Sequence, residues 1–195
     1  MTRPPITLQQ DAVHSPIGKI YVVTDETALC AVDFEGYEDR MMKLLQKRYT
    51  AVELVDSANP LGVSDQIQAY LAGQLDSLDE IPTETGGTAF QQQVWQQLKR
   101  IPPGVVWTYG DLAQSLNNPK AVRAVGMANS LNPISIVLPC HRVVGANRQL
   151  TGYAGGLEHK RWLLLHEGVR LTADQNQVER PTGTTSADQL SIFSN

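Results

Sequence analysis

Residues 108–131 read TYGDLAQSLNNPKAVRAVGMANSL, and this stretch predicts two short helices joined by a tight turn. Thr108 can cap the first helix, because its hydroxyl can accept a hydrogen bond from a free N–H of the first turn. Asn118 and Pro119 can begin the second helix, as its cap and its first helical residue. That helix should end before Pro133, since the residue ahead of a proline resists helical torsions. The pattern is typical of a helix-turn-helix unit.

The second helix of this unit has an unusual number of small side chains. They are Ala121, Ala124, Gly126 and Ala128, and Arg123 is the long basic side chain among them. Small residues allow a backbone to approach another surface closely, as entry into a narrow groove would require. Tight packing against another helix in a core would favour the same composition, so both interpretations stay open.

The distribution of charge separates this part of the chain from the rest. Residues 86–170 hold nine basic and three acidic side chains, a net +6, whereas residues 1–85 hold six basic and fourteen acidic ones, a net −8. A cationic module inside a chain of net charge −4 indicates phosphate binding. The alternative is a module that docks on its acidic neighbour.

The N-terminal half predicts a small α/β domain. Residues 17–24 and 28–34 are short runs rich in β-branched and apolar side chains, which is typical of a hairpin. Helical spacing follows over residues 39–49, a third strand is expected at 52–55, and a short helix at 63–71.

Three elements flank the helix-turn-helix unit. Thr88 can cap a helix whose apolar residues recur every four positions. The continuous apolar run 134–138 predicts a buried strand. A final helix is expected over 157–167, with Gly168 ending it in the favoured way.

We therefore predict an α+β fold in two domains. An N-terminal α/β domain with an antiparallel sheet and helices covers residues 1–80, and a turn-rich linker covers 81–87. A mostly helical domain with the helix-turn-helix unit covers residues 88–171. Residues 172–195 are polar and without periodicity, which predicts a disordered tail.

The residues with evident chemistry follow the predicted strand directly. Cys140 stands between Pro139 and the pair His141-Arg142, and both members of that pair can favour a thiolate. Because successive strand residues point to opposite faces, contact with the histidine needs a water bridge or a bend at Pro139. Glu167 lies in the last turn of a predicted helix, where the helix dipole disfavours a carboxylate. Because an unfavourable placement can mark a functional site, Glu167 could serve to orient His141, as the carboxylate of a catalytic triad orients its base. A structural cysteine and an ordinary surface glutamate are the alternatives.

Residues 136–144, IVLPCHRVV, strongly resemble the acceptor site of the O6-alkylguanine-DNA alkyltransferases. The resemblance is close over about residues 90–168 and looser in the N-terminal half. It implies a small α/β domain ahead of a helix-turn-helix domain. It also implies DNA repair by irreversible transfer of an alkyl group from the O6 atom of guanine to Cys140, once per chain, with the base flipped through the minor groove.

The resemblance also implies roles for single residues. Cys140 matches the acceptor thiolate, His141 the base that deprotonates it through water, and Glu167 the carboxylate that holds this histidine. Tyr109 matches the residue that helps to rotate the nucleotide and gives a proton to the departing guanine. Asn132 matches a hinge residue beside the active site.

Further matches concern DNA and the base. Arg123 matches the side chain that fills the gap left by the flipped base, and Tyr153 matches the wall of the base pocket. Ala154 stands where some relatives have a serine that can bond the lesion oxygen. We also expect DNA contacts from Asn118, Tyr109, Ala124 and Gly126, and pocket contacts from Pro139 and Gly155.

Composition limits cofactors, partners and location. With two cysteines, Cys30 and Cys140, and scattered histidines, we expect no metal and no disulfide framework. Cys30 should pack in the core, and no cofactor is expected. The partner should be double-stranded DNA containing O6-alkylguanine, bound by a monomer, with cooperative assembly on DNA left open. No apolar run could span a membrane, and residues 1–10 lack a signal-peptide layout, so we predict a cytoplasmic protein.

Other functions fit parts of the sequence. A DNA-binding module without chemistry, as in the related alkyltransferase-like proteins, would lack the acceptor cysteine, whereas Cys140 is present. A cysteine hydrolase that uses Cys140 and His141 would leave the cationic helix-turn-helix segment unexplained. The N-terminal half shows no chemical constellation, and it could dock partners.

Overall fold

The structure is a computed structural model that describes residues 5–49 and 51–179, and it has the predicted α+β class. The N-terminal elements are β1 (Ile6–Ser15), β2 (Gly18–Thr24), β3 (Leu29–Phe34), α1 (Glu38–Tyr49), β4 (Val52–Asp56) and α2 (Val63–Leu71). The C-terminal elements are α3 (Ala89–Leu98), β5 (Trp107–Thr108), α4 (Tyr109–Ser115), α5 (Val122–Ser130), β6 (Val143–Val144) and α6 (Leu157–His166). None of the described helices is long and apolar enough to cross a membrane.

The N-terminal sheet has the strand order β3-β2-β1-β4. The pair β2–β3 is the predicted antiparallel hairpin. The unpredicted β1 pairs antiparallel with β2, and β4 adds a parallel edge along β1. The sequence did not reveal β1, because Leu8 and Val13 are its only buried residues. A strand with so few apolar positions gives no clear alternation, and its pairing partners define it instead.

The fully buried strand β3 joins the two halves of the chain. The Val32 N–H donates to the Pro133 carbonyl (3.1 Å), and the Leu29 N–H donates to the Pro82 carbonyl (2.8 Å). One apolar core then continues from Phe34 of the sheet into the C-terminal helices. The edge of the N-terminal sheet therefore fixes the segment that leads to Cys140.

Both predicted threonine caps are confirmed. The Thr88 hydroxyl accepts from the Gln91 N–H (3.3 Å), and the Gln91 side chain accepts from the Thr88 N–H (2.8 Å). Thr108 and Asp111 form the same reciprocal pair at the start of α4, at 3.1 and 2.7 Å. Capping boxes of this kind each stabilise a helix start by about 1 kcal/mol.

The prediction that Asn118 and Pro119 begin the next helix is only partly correct, because they begin a 3-10 turn and the Asn118 side chain makes no cap hydrogen bond. The chain first makes a 3-10 turn at Pro119–Ala121, and α5 begins only at Val122. The Ala121 N–H donates to the backbone carbonyl of Asn118 (2.9 Å), and the Asn118 side chain is exposed. Because of this turn, Ala121 is the residue at the N-cap position of α5, and Asn118 lies too far ahead of α5 to cap it.

The predicted strand at residues 134–138 is also wrong. Ile134 makes a single bridge to Val32, and the chain then turns, with the Leu138 N–H donating to the Ile134 carbonyl (3.0 Å). Ile136 has a φ of +70°, a conformation that costs a β-branched residue about 1–3 kcal/mol. The apolar run marked burial correctly, but burial alone does not distinguish a strand from a folded loop.

The C-terminal end is ordered further than predicted. Gly168, with φ +82°, ends α6 as expected. Residues 172–179, predicted as part of a disordered tail, fold back on the domain: the Val178 N–H donates to the Arg148 carbonyl (2.9 Å), and the Val178 side chain is buried. The prediction of disorder rested on the polar composition of the segment, in which the single buried Val178 gives no periodic signal. The rest of that predicted tail, residues 180–195, lies outside the described residues.

Candidate active site

Cys140 begins a 3-10 turn, Cys140–Arg142, with Pro139 at its N-cap position. The cysteine is 3% exposed, and its Sγ accepts a hydrogen bond from Asn132 Nδ2 at 3.0 Å. Burial raises the pKa of the Cys140 thiol, and the Asn132 hydrogen bond only partly opposes this. The resting group at neutral pH is therefore a thiol, and a base is needed to make it a nucleophile.

Glu167 is the centre of a buried network that includes the predicted base. Its Oε1 accepts from His141 Nε2 (2.9 Å) and Arg142 Nη2 (2.8 Å), and its Oε2 accepts from Arg142 Nε (2.9 Å). Burial alone would raise the pKa of Glu167, but His141 and Arg142 hold it well below its usual value. Glu167 is thus a carboxylate at neutral pH, and the alternative of an ordinary surface glutamate does not apply because it is 4% exposed.

The tautomer of His141 follows from this network. A carboxylate only accepts hydrogen bonds, so the Nε2 atom that faces Glu167 carries a proton. Burial lowers the pKa of His141, which leaves Nδ1 without a proton at neutral pH. Among residues 5–49 and 51–179, Nδ1 is buried without a hydrogen-bond partner. His141 therefore presents an unused acceptor, as a general base requires.

Asn132 shapes the segment ahead of the cysteine. The same Nδ2 that donates to Cys140 also donates to the Leu138 carbonyl (2.8 Å), and Oδ1 accepts from the Ile134 N–H (3.0 Å). Asn132 is fully buried. The N-terminal half supports it, since Arg40 Nη2 donates to the Asn132 carbonyl at 2.8 Å. Sequence reasoning named Asn132 but missed Arg40.

Two other buried residues were missed. The Tyr70 hydroxyl, on α2, donates to Glu167 Oε1 at 2.7 Å. Lys160 Nζ donates to the carbonyls of Val143 (2.6 Å) and Thr151 (3.3 Å), and burial lowers the pKa of Lys160 to about 8. Lys160 shares the inward face of α6 with the buried apolar residues three and four positions further on, and this spacing was a signal for it. Nothing in the sequence near Tyr70 pointed to Glu167.

The predicted pocket residues are partly brought together. Burial, and then the neighbouring Cys140, raise the pKa of the Tyr153 phenol. A Cβ added to the buried Gly155 would lie 2.5 Å from Phe34 Cδ2 and 3.1 Å from Tyr153 Cε1, so a side chain there would displace one of these rings. Pro139 lines a separate cavity of about 310 Å³ between the two halves. Ala154 is half-buried beside Tyr153.

The helix-turn-helix face carries the predicted DNA contacts. Asn118, Arg123 and Ala124 are exposed, and Tyr109 is half-buried at the start of α4. A Cβ on Gly126 would stand 3.9 Å from the Tyr109 ring, an ordinary contact, so helix packing does not require glycine there. Ala128, in contrast, is part of the core.

A further residue on α5 went unpredicted. Asn129 is buried, and its Oδ1 has no hydrogen-bond partner among the described residues. Burial raises the pKa of the Tyr109 phenol, and Asn129 is one of the groups that oppose this shift. Asn129 therefore lies beside Tyr109, on the inner side of the helix that presents Arg123.

Comparison with known proteins covers both halves of the chain. Residues 10–85 match the family model described as 6-O-methylguanine DNA methyltransferase, ribonuclease-like domain. Residues 89–169 match the one described as 6-O-methylguanine DNA methyltransferase, DNA binding domain. The resemblance inferred from the acceptor motif is confirmed.

Individual relatives agree. The chain is 48% identical over 169 residues to the methylated-DNA--protein-cysteine methyltransferase of Shigella flexneri, covering 85% of this chain and 99% of the relative. The Salmonella typhimurium protein of the same name is 50% identical over the same shares. A crystal structure of Mycobacterium tuberculosis OGT in complex with DNA is similar with a TM-score of 0.67 at 34% identity, covering 83% of this chain and 92% of that one. The chain belongs to the 6-O-methylguanine DNA methyltransferase family.

Proposed function

We propose that this protein repairs DNA by moving an alkyl group from the O6 atom of guanine to Cys140 Sγ, once per chain. The observation that carries the proposal is the arrangement around the thiol. The buried Cys140 accepts from Asn132, and the next residue, His141, is held by Glu167 with its Nδ1 free to take a proton. A nucleophile, its base and the orienting carboxylate are thus present together.

The proposed reaction is a single displacement. His141 Nδ1 takes the Cys140 proton through a bridging water, and the thiolate attacks the alkyl carbon. The carbon–oxygen bond breaks as the carbon–sulfur bond forms, and the electron pair leaves with O6 of guanine. Tyr109 donates a proton to the departing base, and the proton held by His141 restores the phenol. The product is a thioether, which does not hydrolyse at neutral pH, so each chain reacts once and no cofactor is needed.

The target atom lies inside the duplex, so the nucleotide must leave the base stack. Extrusion costs a few kcal/mol, and less for a damaged base. The exposed face of α5 suits entry into the minor groove, because Ala124 and Gly126 allow a close approach. Arg123, exposed on the same helix, would fill the space left by the base. Asn118 and Tyr109 would contact the same DNA, and Tyr153 with Gly155 would enclose the flipped base.

The substrate, the location and the domain arrangement of this reaction are proposed together with it. The substrate is double-stranded DNA with O6-alkylguanine, acted on by a monomer in the cytoplasm, where a reduced thiol persists. The sheet-containing region of residues 1–80 and the acceptor region of residues 88–171, joined by the linker 81–87, would act as two domains that share one apolar core.

The test is the intact mass of the protein after mixing with a duplex that carries one O6-methylguanine. We expect a gain of one methyl group on the peptide that holds Cys140, and no gain in Cys140→Ala. Cys30→Ala is the matched control, because Cys30 is also buried and unpaired, and it should still gain the methyl. Tight binding without any mass gain would instead support a recognition module, and repeated turnover would exclude the single-use reaction.

A further inference from the structure

We infer that Tyr70, in the N-terminal half, is a positioning residue for the acceptor reaction and acts through Glu167 on His141. The inference rests on the proposed function. It gives the N-terminal half a defined part in the chemistry, although that half carries neither the thiol nor its base.

The geometry places the Tyr70 hydroxyl inside the Glu167 network. Tyr70 is fully buried, and its hydroxyl donates to Glu167 Oε1 at 2.7 Å. That oxygen also accepts from His141 Nε2 and Arg142 Nη2, so three donors converge on it. The terminal torsion of a glutamate is soft. Arg142 holds both oxygens of Glu167, and a further donor from a separate element, α2, restricts the remaining rotation that would shift the histidine ring.

A second contact fixes α2 to the end of α6. The His166 Nε2 atom donates to the Tyr70 carbonyl at 2.7 Å, and the two rings meet edge to face with centroids 5.1 Å apart. His166 is also stacked on Trp162 at 4.8 Å. These contacts use the backbone and ring of Tyr70, not its hydroxyl. Removing the hydroxyl alone therefore leaves the packing between the two helices intact.

The hydroxyl remains a donor across the working pH range. Burial, and then the negative charge of Glu167, raise the pKa of Tyr70 far above its ordinary value. The charged or titratable groups that face Glu167 are His141 and Arg142 from the turn after Pro139, and Tyr70 from α2. His141 itself is acted on by Glu167, which raises its pKa, and by Arg142 and Lys160, which lower it. Neighbouring His166 is directed away, to the Tyr70 carbonyl. Without the Tyr70 donor, more of the carboxylate charge acts on His141 and favours its protonated form. A smaller fraction of His141 is then present as the free base that can take the Cys140 proton at a given pH.

The experiment compares wild type, Tyr70→Phe and Tyr49→Phe. Tyr49 is the control because its hydroxyl also contacts a buried residue of the N-terminal half, Cys30 at 3.4 Å, away from the acceptor site. Single-turnover methyl transfer is measured from pH 5 to 9. We expect Tyr70→Phe to react about tenfold more slowly at pH 7, the effect of losing one hydrogen bond to a charged group. Its acid midpoint should lie at higher pH than in the wild type, and Tyr49→Phe should match the wild type.

A second measurement separates this inference from the proposed function. NMR titration of His141 needs no alkyl transfer, and the His141 pKa should be higher in Tyr70→Phe than in the wild type. A wild type that fails to transfer methyl would defeat the proposed function, while the titration would still decide the role of Tyr70. Equal His141 pKa values and equal rate profiles in wild type and Tyr70→Phe would overturn the inference. A variant that unfolds at 25 °C is measured at lower temperature with a stabilising osmolyte.

Discussion

Asn132 donates a hydrogen bond to Cys140 Sγ across 3.0 Å, while its other contacts hold the folded loop between the two residues. One buried side chain thus shapes the loop and supports the nucleophile. Because burial raises the pKa of the Cys140 thiol, this donor opposes a shift that would otherwise suppress the thiolate further.

Asn132→Ala should therefore slow the transfer and destabilise the fold. The loss of a hydrogen bond to a developing thiolate, worth roughly 1.5–3 kcal/mol, predicts a rate about ten- to a hundredfold lower. The Ile134 N–H loses its acceptor, and the Leu138 carbonyl loses one donor while still accepting from the Cys140 N–H (2.7 Å). The free energy of unfolding should therefore fall by about 2 kcal/mol. Single-turnover rates and urea unfolding test both effects. Asn176→Ala, in an exposed turn, is the control, and a normal rate in Asn132→Ala would contradict the role of this donor.

Arg40 and Asp33 form an ion pair within the N-terminal half, and the same guanidinium contacts the C-terminal half. Arg40 Nη1 lies 2.6 Å from Asp33 Oδ2, and Arg40 Nη2 donates to the carbonyls of Ser130 and Asn132. Asp33 is 1% exposed, so Arg40→Met leaves a buried carboxylate without its partner. We expect a loss of about 3–5 kcal/mol in the free energy of unfolding. The double variant Arg40→Met, Asp33→Asn should recover part of it, and strictly additive losses in urea unfolding would show that the pair is not coupled.

Lys160 predicts a pH dependence of stability. Its pKa in the folded chain is about 8, because burial disfavours the ammonium, whereas an unfolded lysine titrates near 10.4. Between these values the unfolded chain binds more protons, so the cost of the buried charge is relieved as pH rises. The neutral amine can still donate to the carbonyls of Val143 and Thr151.

From pH 7 to pH 10, the wild type should therefore gain stability relative to Lys160→Met, by up to about 3 kcal/mol. Urea unfolding at several pH values measures this difference. Lys99→Met, at an exposed position, should show no such trend. A difference between wild type and Lys160→Met that stays constant with pH would mean that Lys160 titrates as an ordinary lysine.

Arg123 tests the proposed contact with the duplex. If Arg123 fills the space of the flipped base, Arg123→Ala should slow transfer from duplex DNA by about tenfold or more, equivalent to roughly 1.4 kcal/mol. Transfer from free O6-benzylguanine should be almost unchanged. The salt dependence of DNA binding should also change little, since a gap-filling side chain neutralises no phosphate, whereas a phosphate contact would lower the slope by about 1. Arg170→Ala, likewise exposed, is the control. An equal loss on the free base would place Arg123 in the chemistry instead.

Local sequence predicted those features whose partners are close in the chain. The caps at Thr88 and Thr108 bind residues three positions away, so the pattern itself contains both partners. Cys140 and His141 are adjacent, and the acceptor motif predicted them as the nucleophile and its base. The family followed from that motif, because its few residue types and fixed order are specific.

The tertiary structure decided what depends on distant partners. Tyr70 is 97 positions from Glu167, and Arg40 is 92 positions from Asn132, so no local pattern could pair them. It also placed two of the nine basic residues of segment 86–170, Arg142 and Lys160, in the interior, where they bind a carboxylate and carbonyls and add little to the surface charge. By itself the sequence determined the reacting groups and the local helix signals, since these depend on neighbours along the chain. The orientation and protonation of those groups depend on burial and on donors from the other half, which exist only once the chain has folded.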